Sequence, residues 1–142
     1  MVSDGFRQKA LAIAHVSTHD ANALASARYE LRNPLNGSGG TTKGARMAAN
    51  ARRAKERQLG ALLAAQLGFA AAIRDGRRCA VVLTRVSPRP FDDDNLAAAF
   101  KSIRDGMAAR WEVDDGGPDV VWLCDWYKGS DAKVEARLWW LT

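Results

Sequence analysis

Residues 79–86 read Cys79-Ala80-Val81-Val82-Leu83-Thr84-Arg85-Val86, a nearly unbroken apolar run. A run this short, rich in β-branched residues and without polar alternation, predicts a strand buried on both faces. Such a strand needs a neighbour on each side and a cover above it. Pro88 and Pro90 then stop the ladder, since neither has an amide hydrogen to give. Arg89 is held extended by the proline that follows it. From there the period changes. Leu96, Ala99, Phe100, Ile103 and Met107 recur at three- and four-residue steps, the stripe of a helix over residues 94–110. A central strand feeding a helix is therefore the unit around which the remaining elements must be arranged.

Those elements follow from the same patterns. Residues 120–127 predict a strand with Val121 and Leu123 on one face and Trp122, Cys124 and Trp126 on the other. Lys128-Gly129-Ser130-Asp131 reads as a hairpin connection to a returning strand over 132–141. There Val134, Ala136, Leu138 and Trp140 face one way, and Lys133, Glu135, Arg137 and Trp139 the other. One sheet face is expected against helices and the other partly open. The open aromatic area near the last strand suits a dimer surface, and Trp122, Trp126 and Trp139 suit packing better than base stacking. Residues 45–72 are built from good helix formers. Met47, Ala51, Ala54, Leu62 and Leu63 supply an apolar stripe there, and Gly60 and Gly68 weaken its far half. Upstream, residues 33–44 are a loop punctuated by Pro, Asn and Gly. Residues 25–31 could form a first strand through Tyr29 and Leu31, with Glu30 and Arg32 opposite. Residues 6–16 could form a short helix. The length of 142 residues fits one domain over 1–142, with 1–27 either irregular or a small extension.

Charge is distributed unevenly. The net charge is +5, and residues 43–78 hold nine Lys or Arg against two acids. The second half of the chain is richer in carboxylates. A basic helix face carrying Arg46, Arg52, Arg53, Lys55 and Arg57, with Lys43 in the loop before it, suits contact with a phosphate backbone or a plain solvated surface. Cys79 and Cys124 both lie in apolar runs, as buried thiols of a reducing compartment do. No cysteine–histidine spacing suggests zinc, and His15 with His19 lacks a third ligand. Neither a secretory pattern nor a membrane-length apolar run is present, so a cytoplasmic location is expected.

Three adjacent carboxylates, Asp92, Asp93 and Asp94, stand where the central strand meets its helix. Uncompensated, they repel one another, and a divalent cation removes that cost. If the segment is extended, Asp92 and Asp94 share a face and can reach one ion, while Asp93 points away to cap the helix. Asp114 and Asp115 follow the helix in an acidic turn over 112–118. Oxygen donors of this kind suit magnesium or manganese. A cap plus solvated acidic turns is the bland reading of the same residues.

Asp92-Asp93-Asp94-Asn95-Leu96, then a helix, then Asp114-Asp115, resembles the core motif of the RusA-type crossover junction endodeoxyribonucleases, small phage and bacterial resolvases of four-way (Holliday) junctions. The resemblance covers residues 80–125. It implies an α+β fold, a mixed sheet packed on helices, and a symmetric homodimer. It implies magnesium- or manganese-dependent hydrolysis of DNA phosphodiesters, preferentially in branched DNA, in recombination and repair, with no small-molecule cofactor and no membrane. Asp92, Asp94 and Asp115 would be the catalytic, metal-holding carboxylates, with Asp114 assisting. Arg89 stands in for the family's arginine-rich approach. The family's lysine in the first turn after Asn-Leu is replaced by Ala97, Ala98 and Ala99, and Lys101 is the first basic residue able to serve from a shifted position. That departure leaves a second expectation, a junction-binding module that has lost catalysis.

Overall fold

The computed structural model describes residues 23–32, 42–68, 77–89, 93–117 and 119–140, and of Asp93 and Asp94 the backbone only. Seven elements follow in chain order: β1 (Ala23–Arg28), α1 (Lys43–Leu67), β2 (Cys79–Ser87), α2 (Asp93–Ala99), α3 (Lys101–Trp111), β3 (Val120–Lys128) and β4 (Lys133–Trp140). The fold is α+β, with a four-stranded mixed sheet ordered β1-β4-β2-β3. β2 pairs parallel with β3 and antiparallel with β4, so the most apolar strand is central, as its sequence requires. The expected helix at 6–16, His15 and His19, most of the 33–44 loop, and Asp92 lie outside the described residues.

One sheet face carries the core. The register sets Ala25, Ala136, Leu83 and Cys124 in one row, and Val81, Leu138 and Trp122 in the next. α1 lies over β1 and β4, α2 over β3, and α3 packs along α1. Leu96, Phe100, Ile103, Met107 and Trp111 are buried against these rows, and Trp111 stacks on Trp122 at 6.1 Å between ring centroids. Trp122 and Trp126 thus pack on the core, and the periodicity of the second helical region is confirmed. The region is two helices rather than one. The division falls at Phe100, whose ring is fully buried. That residue stays in the right-handed helical region and its amide still donates to the Leu96 carbonyl at 3.1 Å, so the two run on with little interruption.

Four readings need correction. The hairpin is absent: β3 and β4 do not pair, because β4 takes the place between β1 and β2. Their connection instead passes over the end of β2, where the Gly129 amide donates to the Ser87 carbonyl at 3.2 Å. A Cβ at residue 129 would lie 2.5 Å from Val86 Cγ1, so the crossing needs glycine. The apolar stripe of α1 is also different. Met47 and Leu62 are exposed (61% and 52%), and the buried face is Glu56, Gly60, Leu63, Ala64 and Leu67. The reason is Gly60, which meets the Ile103 carbonyl of α3 while Gly106 meets the Arg57 carbonyl of α1. The two glycines let the helix backbones touch, and that contact sets which face turns inward. Lys43 belongs to α1, not to the loop, because Thr42 caps the helix by accepting from the Ala45 amide at 3.1 Å. The first strand ends at Arg28, although Leu31 does point inward and Tyr29 packs on the core.

Candidate carboxylate site and basic surface

β2 delivers the chain to the candidate site along a fixed path. Arg85 is only 8% exposed, and it donates through Nε to the Leu31 carbonyl (3.1 Å) and through a terminal nitrogen to the Arg89 carbonyl (2.8 Å). Ser87 Oγ donates to that same carbonyl at 2.7 Å and accepts from Trp126 Nε1 at 3.0 Å. Burial lowers the Arg85 pKa, yet two carbonyl acceptors give its guanidinium partners in place of water. Arg85 is thus a brace for the segment leaving β2, and Arg89 is left exposed just beyond the strand.

α2 begins at Asp93. Asp94 is therefore helical, and the extended-segment argument for pointing Asp92 and Asp94 to one side stops there, since i and i+2 diverge on a helix. What the structure does bring together lies further on. Glu112 adopts a left-handed conformation at the end of α3 (φ 58°), and the chain reverses beside the helix. This returns Asp115 to the first turns of α3. Its Oδ2 lies 3.5 Å from Lys101 Nζ and 3.3 Å from an Arg104 guanidinium nitrogen. Lys101 Nζ is also 2.8 Å from Asp105. Partial burial raises the Asp115 pKa, but the positive charges of Lys101 and Arg104 outweigh it, and the carboxyl ends below its usual range. Lys101 is held above its usual range, first by its hydrogen bond to Asp105. Both members are charged at neutral pH. Asp114 instead uses its Oδ1 to accept from the Gly116 amide at 3.0 Å, closing the turn that presents Asp115.

Arg104 was missed in the sequence. Its signal was there, three residues after Lys101 on the same helix face. Its Nε is buried and has no partner among the described residues, a spare donor beside Asp115. An ionised, partly exposed carboxylate is a suitable ligand for a hard cation. Among the described residues, no three His, Cys, Asp or Glu are gathered to hold one. Thiol chemistry has little support: burial pushes Cys79 up to about 11 and Cys124 up to about 12.

The basic residues of α1 spread over more than one surface. Lys43, Arg46, Arg53 and Arg57 are exposed, with Arg53 donating to Asn50 Oδ1 at 2.7 Å. Arg52 turns toward β1, where a cleft opens between the two elements. Tyr29, which lines it, donates through its hydroxyl to Glu56 Oε2 at 2.8 Å. Burial raises the Glu56 pKa, with Tyr29, Arg52 and Arg53 offsetting part of the effect. A carboxyl raised in the folded state favours folding most when protonated, and that advantage fades as pH climbs through its unfolded value toward the folded one. Glu56→Gln keeps an acceptor for Tyr29 without the charge. It should therefore shift the urea midpoint upward at about pH 7 and match wild type near pH 4. A lower midpoint at neutral pH would show that the charge itself is needed there.

Comparison of the chain with protein-family models, with curated proteins and with solved structures found no match in any of the three. Among the described residues, no helix is long and apolar enough to cross a membrane.

Proposed function

We propose that this chain is a magnesium- or manganese-dependent endonuclease of the RusA type, cutting four-way DNA junctions as a homodimer. The reading rests on the Asp-Asp-Asp-Asn-Leu motif and its spacing to Asp115. One structural observation supports it: Asp115, fourteen residues beyond Lys101 in sequence, lies against Lys101 and Arg104 near the start of α3. A carboxylate and two cations at one point suit phosphodiester chemistry. Asp92, Asp94 and Asp115 would hold the metal, which would supply Lewis acidity at the scissile phosphate. Lys101 and Arg104 would neutralise charge that develops on the phosphate oxygens. Asp105 would keep Lys101 protonated and oriented. The Asp114 turn would hold Asp115 in place. A two-fold pair of such sites would match two cuts across a junction.

The binding-only reading draws on the same pair of cations, since Lys101 and Arg104 already neutralise Asp115. A labelled four-way junction separates the two. Wild type should cut it in magnesium or manganese, and Asp92→Asn should bind it without cutting. Binding with no cleavage by wild type in either ion would leave only the binding module. Cleavage that survives Asp92→Asn would remove Asp92 from the site.

A further inference from the structure

We infer that the cleft between β1 and α1 is a binding trough for the sugar–phosphate backbone of a nucleic acid, with Arg28, Arg32, Arg52 and Lys55 as its phosphate contacts. The trough has a volume of about 680 Å³. Its lining carries these four cations against one acid, Glu30. Two of the four come from the strand side, and neither sits in the helix whose basic composition first drew attention.

The walls suit a chain-like polyanion. Among the described residues, Ala45, Ala48, Ala49 and Ala51 line the α1 side beside Arg52 and Lys55, and these small side chains leave room for a backbone to approach. The cations do not converge on one point. Arg28 closes β1 and Arg32 lies four residues further on, a span of at most about 13 Å. Arg52 and Lys55 are one helical turn apart on the opposite wall. Placed on two walls of the trough, the four can meet successive phosphates of a strand in turn.

The frame is rigid where it matters. Arg85 holds the Leu31 carbonyl from beneath, Leu31 is buried, and the Tyr29–Glu56 hydrogen bond ties the strand segment to the helix. Arg28 and Arg32 are exposed on that braced segment. Contacts from these cations to phosphates carry no sequence information, so the backbone binding proposed there should be largely insensitive to sequence.

The substrate class rests on the nuclease reading, but the test does not. Anisotropy of a labelled duplex and of a labelled single strand is followed in EDTA across a chloride series. The probe proteins are wild type, Arg28→Ala/Arg52→Ala, Arg32→Ala/Lys55→Ala, and Arg78→Ala. Arg78 is exposed at the opposite end of the sheet, since Cys79 pairs with Trp140 while Arg28 pairs with Lys133. Each double variant should bind roughly tenfold more weakly at low salt and lose about 2 from the slope of log K against log salt on duplex, and about 1.4 on single strand. Arg78→Ala should keep the wild-type slope. Wild-type slopes in both double variants would overturn the trough and leave the nuclease reading standing. Displacement of DNA by inorganic phosphate, beyond chloride of equal ionic strength, would overturn it in favour of a small-anion site. A wild type that binds neither DNA would overturn it outright. Binding with the expected slopes, but no cleavage of a four-way junction in magnesium or manganese, would remove the nuclease reading and leave the trough.

Discussion

Gly106→Ala should destabilise the fold by about 3 kcal/mol, the upper end of what an overpacked core contact costs. That corresponds to a melting temperature lower by roughly 10 °C in a domain of this size. The added methyl would fall well inside van der Waals contact with the Arg57 carbonyl oxygen of α1. Three of the nearest atoms belong to the Arg57 backbone, so no side-chain rotation relieves the contact. The helices must separate. Separation loosens Ile103, Met107 and Trp111 on one side and Leu63 on the other, all of them fully buried. Alanine's better helix propensity returns about 1 kcal/mol and does not reverse the sign. Gly44 is the control. Nothing lies within 4 Å of a Cβ there, so Gly44→Ala should be neutral or slightly stabilising. Thermal unfolding by circular dichroism reads both. If the two variants melt alike, α1 and α3 do not cross at Gly60 and Gly106.

That crossing also marks where sequence reasoning reached its limit. The apolar run of β2 gave a central strand because burial on both faces demands it. The stripe from Leu96 to Met107 gave buried helix for the same reason. In α1 the assumption that large apolar residues mark the inner face held for Leu63 and failed for Met47 and Leu62, because the inner face follows a backbone contact that glycine permits. Met47 and Leu62 were left outside. The hairpin failed for a related reason. Lys128-Gly129-Ser130-Asp131 has the composition of a tight turn, but Gly129 serves to cross the end of β2. Local composition shows that the chain turns; it does not show which strand it lands beside. In the candidate site, the spacing of acids along the chain was legible. The place of Arg104 on the Lys101 face was legible too, but its pairing with Asp115 and the reversal at Glu112 were not, since both depend on how the chain folds back along α3.

Asp115→Asn should abolish most junction cleavage while leaving the fold almost unchanged, and the contrast between these effects is the informative part. On the proposed reading Asp115 holds metal, and loss of such a ligand should lower the rate at least ~100-fold. Its structural contribution is small. Its partners Lys101 and Arg104 are both partly exposed, and pairs of this kind contribute about 0–1 kcal/mol. The pH dependence has a definite sign. The folded pKa of Asp115 is depressed, so its contribution is present above the unfolded value and is lost as pH falls through the folded one. The variant should therefore be slightly less stable than wild type at neutral pH and indistinguishable from it in strong acid. Lys101→Ala separates the roles further. It removes a competitor for the carboxylate, so manganese should bind at least as tightly as in wild type, followed by its electron paramagnetic resonance signal. Cleavage should nevertheless fall, because the charge facing the phosphate is gone. Weaker manganese binding in Lys101→Ala would instead make the lysine a positioning residue for Asp115. Full cleavage by Asp115→Asn would take the third carboxylate out of the proposed site.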